Sequence, residues 1–288
     1  MDMTKKPDSP IDLIGLMDAG YDAKDAQEWP IYGTEQMLDR REYVTASEIG
    51  KCAREIAFNK LAMTIGGYDP EVGTKNHSRD QWGFFERGHT MEAWAAKMIH
   101  DGIVAQGFDV ALICTGENQR SFIAGEQSGT PDGVFLFGVP GNLTSTMRIL
   151  EIKSIDPRTN IRNLPKKDHV TQVMQNLDLV AETLNVVPAG GDLIYINASD
   201  YKKRYPFSID WDESEAGRLQ ARAEWIMAAD SPADLPAEGL HVRGCTYCNH
   251  TAQCSALVMK EQNERGKTNV NESTQASSYA TASKKLFG

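Results

Sequence analysis

Three residues in one stretch of this chain could do acid–base and metal chemistry together: Asp132, Glu151 and Lys153. Asp132 opens a strand-like run that reads Gly-Thr-Pro-Asp-Gly-Val-Phe-Leu-Phe over 129–137. Glu151 and Lys153 lie near the end of a second run, Met-Arg-Ile-Leu-Glu-Ile-Lys-Ser over 147–154. A Gly/Asn/Thr-rich connection joins the two, which predicts a β-hairpin with a long turn region. Side chains alternate along a strand, so Ile149, Glu151 and Lys153 share one face and Leu150 and Ile152 the other. An acid and a lysine among aliphatics are costly to bury without partners. Mg²⁺ or Mn²⁺ would make Asp132 and Glu151 useful together, because carboxylate oxygens suit hard divalent ions. The plain alternative is a solvated hairpin face.

The surrounding segments must position these groups. Residues 45–63 predict a helix with Ser47 as N-cap and Ile49, Cys52, Ile56 and Met63 on one face. Arg54 on that helix could reach a DNA phosphate or be an exposed helix charge. Residues 80–100 predict a second helix, in which Phe85, Gly88, Glu92, Ala95 and Ile99 follow the i, i+3, i+4 spacing. Glu92 then lies in the apolar stripe and needs a partner, or sits at its edge and reaches solvent. His89 reads as a surface histidine. Strand-like runs follow at 108–114 and 120–125. Residues 166–184 predict an amphipathic helix that buries Val170, Val173, Met174, Leu177, Ala181 and Leu184, with His169, Gln172 and Asn176 as a polar stripe beside them. Residues 192–197 read as a buried strand. Tyr201 to Arg204 read as a basic turn before a partner strand at 205–209, and 213–229 as a surface helix.

The length of 288 residues allows one large domain or two small ones, and the 41% hydrophobic content is that of a soluble globular protein. A net charge of −10 is not the footprint of a general nucleic-acid coat protein, though local basic patches and bound metals can act against it. There is no signal peptide and no long apolar run, so a cytoplasmic location without membrane contact is expected. Five cysteines in such a protein point to metal or redox chemistry rather than disulfides. Three of them, Cys245, Cys248 and Cys254, form a C-x2-C-x5-C cluster. Cys114 ends an apolar run and reads as inert core. Residues 263–288 lack periodicity and predict disorder; their Leu-Phe end hints at a partner-binding peptide.

Pro131-Asp132 followed by Glu151-Ile152-Lys153 resembles the PD-(D/E)XK nuclease superfamily. With Gly88-x3-Glu92 before the sheet and Gln172 after it, the order is similar to the RecB-type branch, in the glutamate form of phage recombination exonucleases of the lambda and YqaJ type. The Q-x3-Y element is half present, with Asn176 where tyrosine would stand. One cysteine before the core, Cys52, and three after it look like the iron–sulfur staple of AddB and Cas-four-type nucleases. The Cys-Ala-Arg text at 52–54 resembles their Cys-Pro-Arg element. Four thiolates suit a 4Fe–4S cluster and can also make a zinc site.

The resemblance covers residues 46–256. It implies an α/β fold with a central mixed β-sheet flanked by helices, closed by a C-terminal cysteine-rich iron–sulfur staple. The implied divisions are an N-terminal extension (1–45), a nuclease domain (46–262) and a tail (263–288). It implies Glu92, Asp132, Glu151 and the Ile152 carbonyl as ligands of Mg²⁺ or Mn²⁺, with Lys153 acting on the attacking water and Gln172 positioning it. Arg54, Lys202, Lys203 and Arg204 are candidates for sequence-independent contact with the DNA backbone. The implied activity is 5′ to 3′ exonucleolytic hydrolysis of DNA ends in recombination or repair, on a phage or bacterial genome, with a recombination or replication protein as possible partner through the tail. Three alternatives use the same features: a non-catalytic iron–sulfur or zinc protein that binds nucleic acid, a CRISPR-adaptation nuclease, and a metal-dependent enzyme on another substrate.

Overall fold

The computed structural model describes residues 42–64, 79–138 and 145–238, together with 245, 248, 250–255 and 257. The runs 11–17 and 36–41, which read in the sequence as short helices, lie outside the described residues, as do most of the N-terminal extension and the whole tail. In chain order the elements are β1 (Val44–Thr45), α1 (Ala53–Thr64), α2 (Arg79–Gln106), β2 (Ala111–Ile113), β3 (Phe122–Ala124), β4 (Gln127–Gly129), β5 (Gly133–Phe137), β6 (Thr146–Ile155), α3 (Lys167–Leu184), β7 (Val187–Asn197), β8 (Asp200–Ile209) and α4 (Glu213–Met227).

β5 and β6 form the expected antiparallel hairpin, with Gly133 opposite Leu150 and Phe137 opposite Thr146. They sit inside a mixed five-stranded sheet of order β2-β5-β6-β7-β8, in which β6 and β7 run parallel and the other pairs antiparallel. The alternation along β6 divides the core. Leu150 and Ile152 pack with Met91, Ala95 and Ala96 of α2. Ile149 packs with Val173, Met174 and Leu177 of α3 on the opposite face. A mixed sheet covered by a helix on each face follows, since each apolar face must be buried by another element.

α3 is more deeply buried than its periodicity predicts. From Val173 to Val180 every residue except Asp178 is buried, including Gln175 and Asn176, each 0% exposed. The cause is a second, three-stranded sheet of order β1-β4-β3. α3 packs against β6 and β7 on one side and β3 and β4 on the other, and a helix clamped between two layers has little free face. The Gln175 amide bridges the small sheet, donating to the carbonyls of Val44 and Ser128. Val170, Ala181 and Leu184, expected in the core, are only half-buried at its ends.

Two expectations fail at helix and strand boundaries. α1 begins at Ala53, not near Ser47, which lies in a turn after β1. Its first N–H, at Ala53, is capped by the Glu238 carboxylate at 2.9 Å, from 185 residues away. The residues Tyr201 to Arg204 are not a turn but the first part of β8, an edge strand. The turn lies at 197–200, where the Asn197 side chain accepts from the N–H groups of Ser199 and Asp200; an Asx turn of this kind needs no basic run.

Candidate active site

The hairpin brings Asp132, Glu151 and Lys153 together. Asp132 precedes β5 and is 8% exposed; Glu151 is 1% exposed. The Ile152 N–H donates to Asp132 Oδ2 at 2.7 Å. The Gln119 amide donates to Asp132 Oδ1 at 3.2 Å and to the Pro131 carbonyl at 3.0 Å. Both groups of one strand residue face the same side, so the Ile152 carbonyl opens toward Asp132 as its N–H does. Lys153 Nζ lies 2.5 Å from Glu151 Oε1. Asn176, from α3, donates its amide to Glu151 Oε2 at 3.4 Å.

Glu92 borders this group from α2. Its side chain is 28% exposed and lies 3.5 Å from the exposed His89 ring, while the buried stripe of α2 is Met91, Ala95 and Ala96. The second reading of Glu92 holds: it sits at the edge of the stripe and reaches solvent, and from there its charge still acts on the buried acids. Burial first, then the charges of Glu151 and Glu92, hold the Asp132 carboxyl well above the usual carboxylate range. Burial likewise raises Glu151, against the pull of Lys153. Burial alone would depress Lys153, but Glu151, Asp132 and Glu92 outweigh it and hold the ammonium above its ordinary value.

Two buried carboxylates thus share one ammonium, with the charge of Glu92 acting from the edge, and excess buried charge of one sign calls for a proton or a cation. The donor set suits a hard divalent ion: two adjacent carboxylates and a backbone carbonyl. Among the described residues no three Cys, His, Asp or Glu side chains stand close enough together to hold an ion by themselves. An ion here would rest on Asp132, Glu151 and the Ile152 carbonyl and complete its shell with water, as Mg²⁺ usually does.

Other expected residues fall elsewhere. Gln172 is half-buried one turn before Asn176 on α3, and among the described residues no bond ties it to the three. Arg54 cannot serve as a phosphate contact in this arrangement. It is 3% exposed, and its Nε donates to the Leu235 carbonyl at 2.8 Å. Lys202, Lys203 and Arg204 are all exposed on β8. Arg204 pairs with Ile196, which pairs with Ser154, so it stands level with the end of β6 two strands away, roughly 10 Å. Gln119 had no signal as a site residue in the sequence, since it acts through a contact made only by the folded chain; Asn176 was marked only by its place in the half-present Q-x3-Y element, and its bond to Glu151 is made by the fold.

The cysteines gather at the start of α1, where among the described residues no three of them stand close enough to hold an ion as they lie. Cys52, Cys245, Cys248 and Cys254 are half-buried and form no disulfide. Burial, then the charges of Glu55, Cys52 and Cys245, push the Cys248 thiol up. Arg54 Nη1 approaches Cys254 Sγ at 3.9 Å. His250 docks the segment on α1, its Nε2 on Asn59 Oδ1 at 2.8 Å and its ring stacked on Phe58. Cys114 lies apart, in the main core.

No protein-family model and no curated protein matches this chain. Similar solved structures include that of SSO0001, which is 16% identical with a TM-score of 0.41, over 84% of this chain and 97% of that one. An alkaline exonuclease (LHK-Exo) from Laribacter hongkongensis is also similar, at 16% identity and TM-score 0.40, over 66% of this chain and 88% of that one. The same enzyme in complex with dAMP gives a TM-score of 0.44 at the same identity and coverage. At this identity and score the likenesses assign neither a family nor an activity.

Proposed function

We propose that this chain is a divalent-metal-dependent DNA nuclease. The observation that carries the reading is the buried pair Asp132 and Glu151, with Lys153 paired to Glu151 and the Ile152 backbone fixing Asp132. In phosphodiester hydrolysis a water oxygen bonds to phosphorus as the ester P–O bond breaks, leaving an alcohol and a phosphate monoester. Mg²⁺ or Mn²⁺ would make the bound water more acidic and offset charge on the phosphate. Asp132, Glu151 and the Ile152 carbonyl would hold it, with Glu92 adding charge from α2. Lys153, kept protonated by three carboxylates, orients the water as a donor and stabilises charge on the pentacovalent phosphorus. Gln119 and Asn176 hold the two carboxylates in place.

The finer reading rests on the sequence resemblance. It makes the enzyme an exonuclease working 5′ to 3′ on DNA ends, with the four cysteines holding a structural 4Fe–4S cluster and Lys202, Lys203 and Arg204 tracking the backbone. Among the described residues no helix is long and apolar enough to cross a membrane. Labelled DNA with Mg²⁺ or Mn²⁺ tests the reading. Wild-type protein should cleave, and Lys153→Ala should lose at least a hundredfold in rate in the fraction that remains folded, a loss of roughly 3 kcal/mol or more of transition-state stabilisation. Equal cleavage by the variant overturns the assignment.

A further inference from the structure

Beside Lys153 a second set of polar groups is built around Tyr195. Tyr195 stands opposite Lys153 in the parallel β6–β7 ladder, so both side chains leave the sheet on the face that α3 covers. The tyrosine is 0% exposed. His169, from the first turn of α3, stacks on it with ring centroids 5.5 Å apart and planes at 28°. Tyr195 Oη lies 3.0 Å from the Lys166 nitrogen and 2.9 Å from His169 Nδ1.

These two contacts determine where the protons are. The Lys166 N–H can only donate, so Oη accepts from it. The phenol has one proton to place, and His169 Nδ1 is the acceptor within reach. If Nδ1 carried the proton instead, the phenol hydrogen would be buried without a partner, which native structures avoid. The His169 proton is therefore on Nε2. Burial, then the Lys153 and Lys166 charges, outweigh Asp168 and bring the ring to a pKa of about 4, so it is neutral at ordinary pH. Its acceptor nitrogen is occupied, so this imidazole is no general base. It is a fixed N–H donor, and Nε2 has no partner among the described residues.

We propose, resting on the nuclease reading, that His169 contacts the substrate by donating Nε2–H to a non-bridging oxygen of the phosphodiester held at Lys153. Tyr195 is a positioning residue that, with the Lys166 backbone, keeps the ring in the donating tautomer. A neutral donor here adds a hydrogen bond to the phosphate without adding a cation that would compete with Lys153 for the carboxylates.

The test compares wild type, Lys153→Ala, His169→Ala, His169→Gln and Tyr195→Phe on a labelled oligonucleotide with Mg²⁺, beside ¹⁵N NMR of the histidine rings. His169→Ala should lose roughly ten- to a hundredfold in kcat/KM, the value of a hydrogen bond to a charged group. His169→Gln keeps an amide donor and should recover part of that. Tyr195→Phe should fall between, with the His169 signals moving from a single Nε2–H tautomer to a mixture, which a merely structural tyrosine would not cause. The proposal is overturned if wild type cleaves, Lys153→Ala does not, and both His169 variants match wild type. A wild-type His169 signal with the proton on Nδ1 overturns it independently of activity. If wild type is as inert as Lys153→Ala on every DNA substrate, the nuclease reading itself falls and takes this inference with it.

Discussion

Asn176 stands where the resemblance calls for a tyrosine, and it is nonetheless bonded to Glu151. Its amide needs a slot, and Gly129 supplies one: a Cβ on Gly129 would lie 2.1 Å from Asn176 Oδ1 and 2.9 Å from Leu179 Cδ1. Gly129→Ala must therefore push α3 away or turn the amide off Glu151. Overpacking of this kind costs about 1–3 kcal/mol. The displaced amide also removes a hydrogen bond that favours the ionised Glu151. We expect chemical denaturation to show that loss of stability and a Mn²⁺ titration to show weaker binding. Unchanged values for both would mean that Asn176 does not hold Glu151.

At the scale of elements, α1 is anchored by residues far from it in sequence. Glu238 caps its N-terminus and pairs with Arg222 of α4, whose guanidinium also donates to the carbonyls of Ile49 and Lys51. Arg222 first, then the Ala53 N–H, holds the Glu238 carboxyl below its ordinary 4.5. A depressed carboxylate stabilises the fold fully above its unfolded pKa, and the contribution is lost as pH falls through the folded value. Glu238→Gln should therefore cost about 1 kcal/mol at pH 7, the value of a helix cap, and nothing at a pH below the folded pKa. Urea titrations at both pH values measure the difference. An equal loss at both would assign the effect to packing rather than to charge.

At the scale of the whole molecule, the segment carrying Cys245, Cys248 and Cys254 returns to Cys52 at the start of α1, joining the two ends of the described core. A cluster bridging them would close a loop of nearly 200 residues, and a cross-link of such a span is worth roughly 5 kcal/mol in chain entropy. Anaerobically purified protein should then be coloured and contain iron. Cys52→Ser should be colourless with a much lower melting temperature, and Cys114→Ser, in the core, should keep the colour and activity of wild type. Full iron in Cys52→Ser, or loss of iron in Cys114→Ser, would show a different ligand set.

The hairpin, the division of Ile149 from Leu150 and Ile152, and the meeting of Asp132 with Glu151 and Lys153 were legible in the sequence. They depend on strand alternation and one turn, which act over a few residues. The starts of α2, α3 and α4 were legible to within a residue, but the start of α1 was not. The cap of α1 is supplied from residue 238, and a side chain beside it, Ser47, has the right chemistry in the wrong place. The basic run at 202–204 looked like a turn because charge marks exposure, and an edge strand is exposed too. Arg54 was ambiguous between solvent and a phosphate, and burial against Leu235 and Cys254 is a third outcome that only packing creates. Tyr195 and His169 carried no site signal, because the parallel pairing of β6 with β7 sets Tyr195 beside Lys153 across the α3 crossover. Local periodicity determined which residues could share a face; the long-range register and the second sheet decided which of them meet.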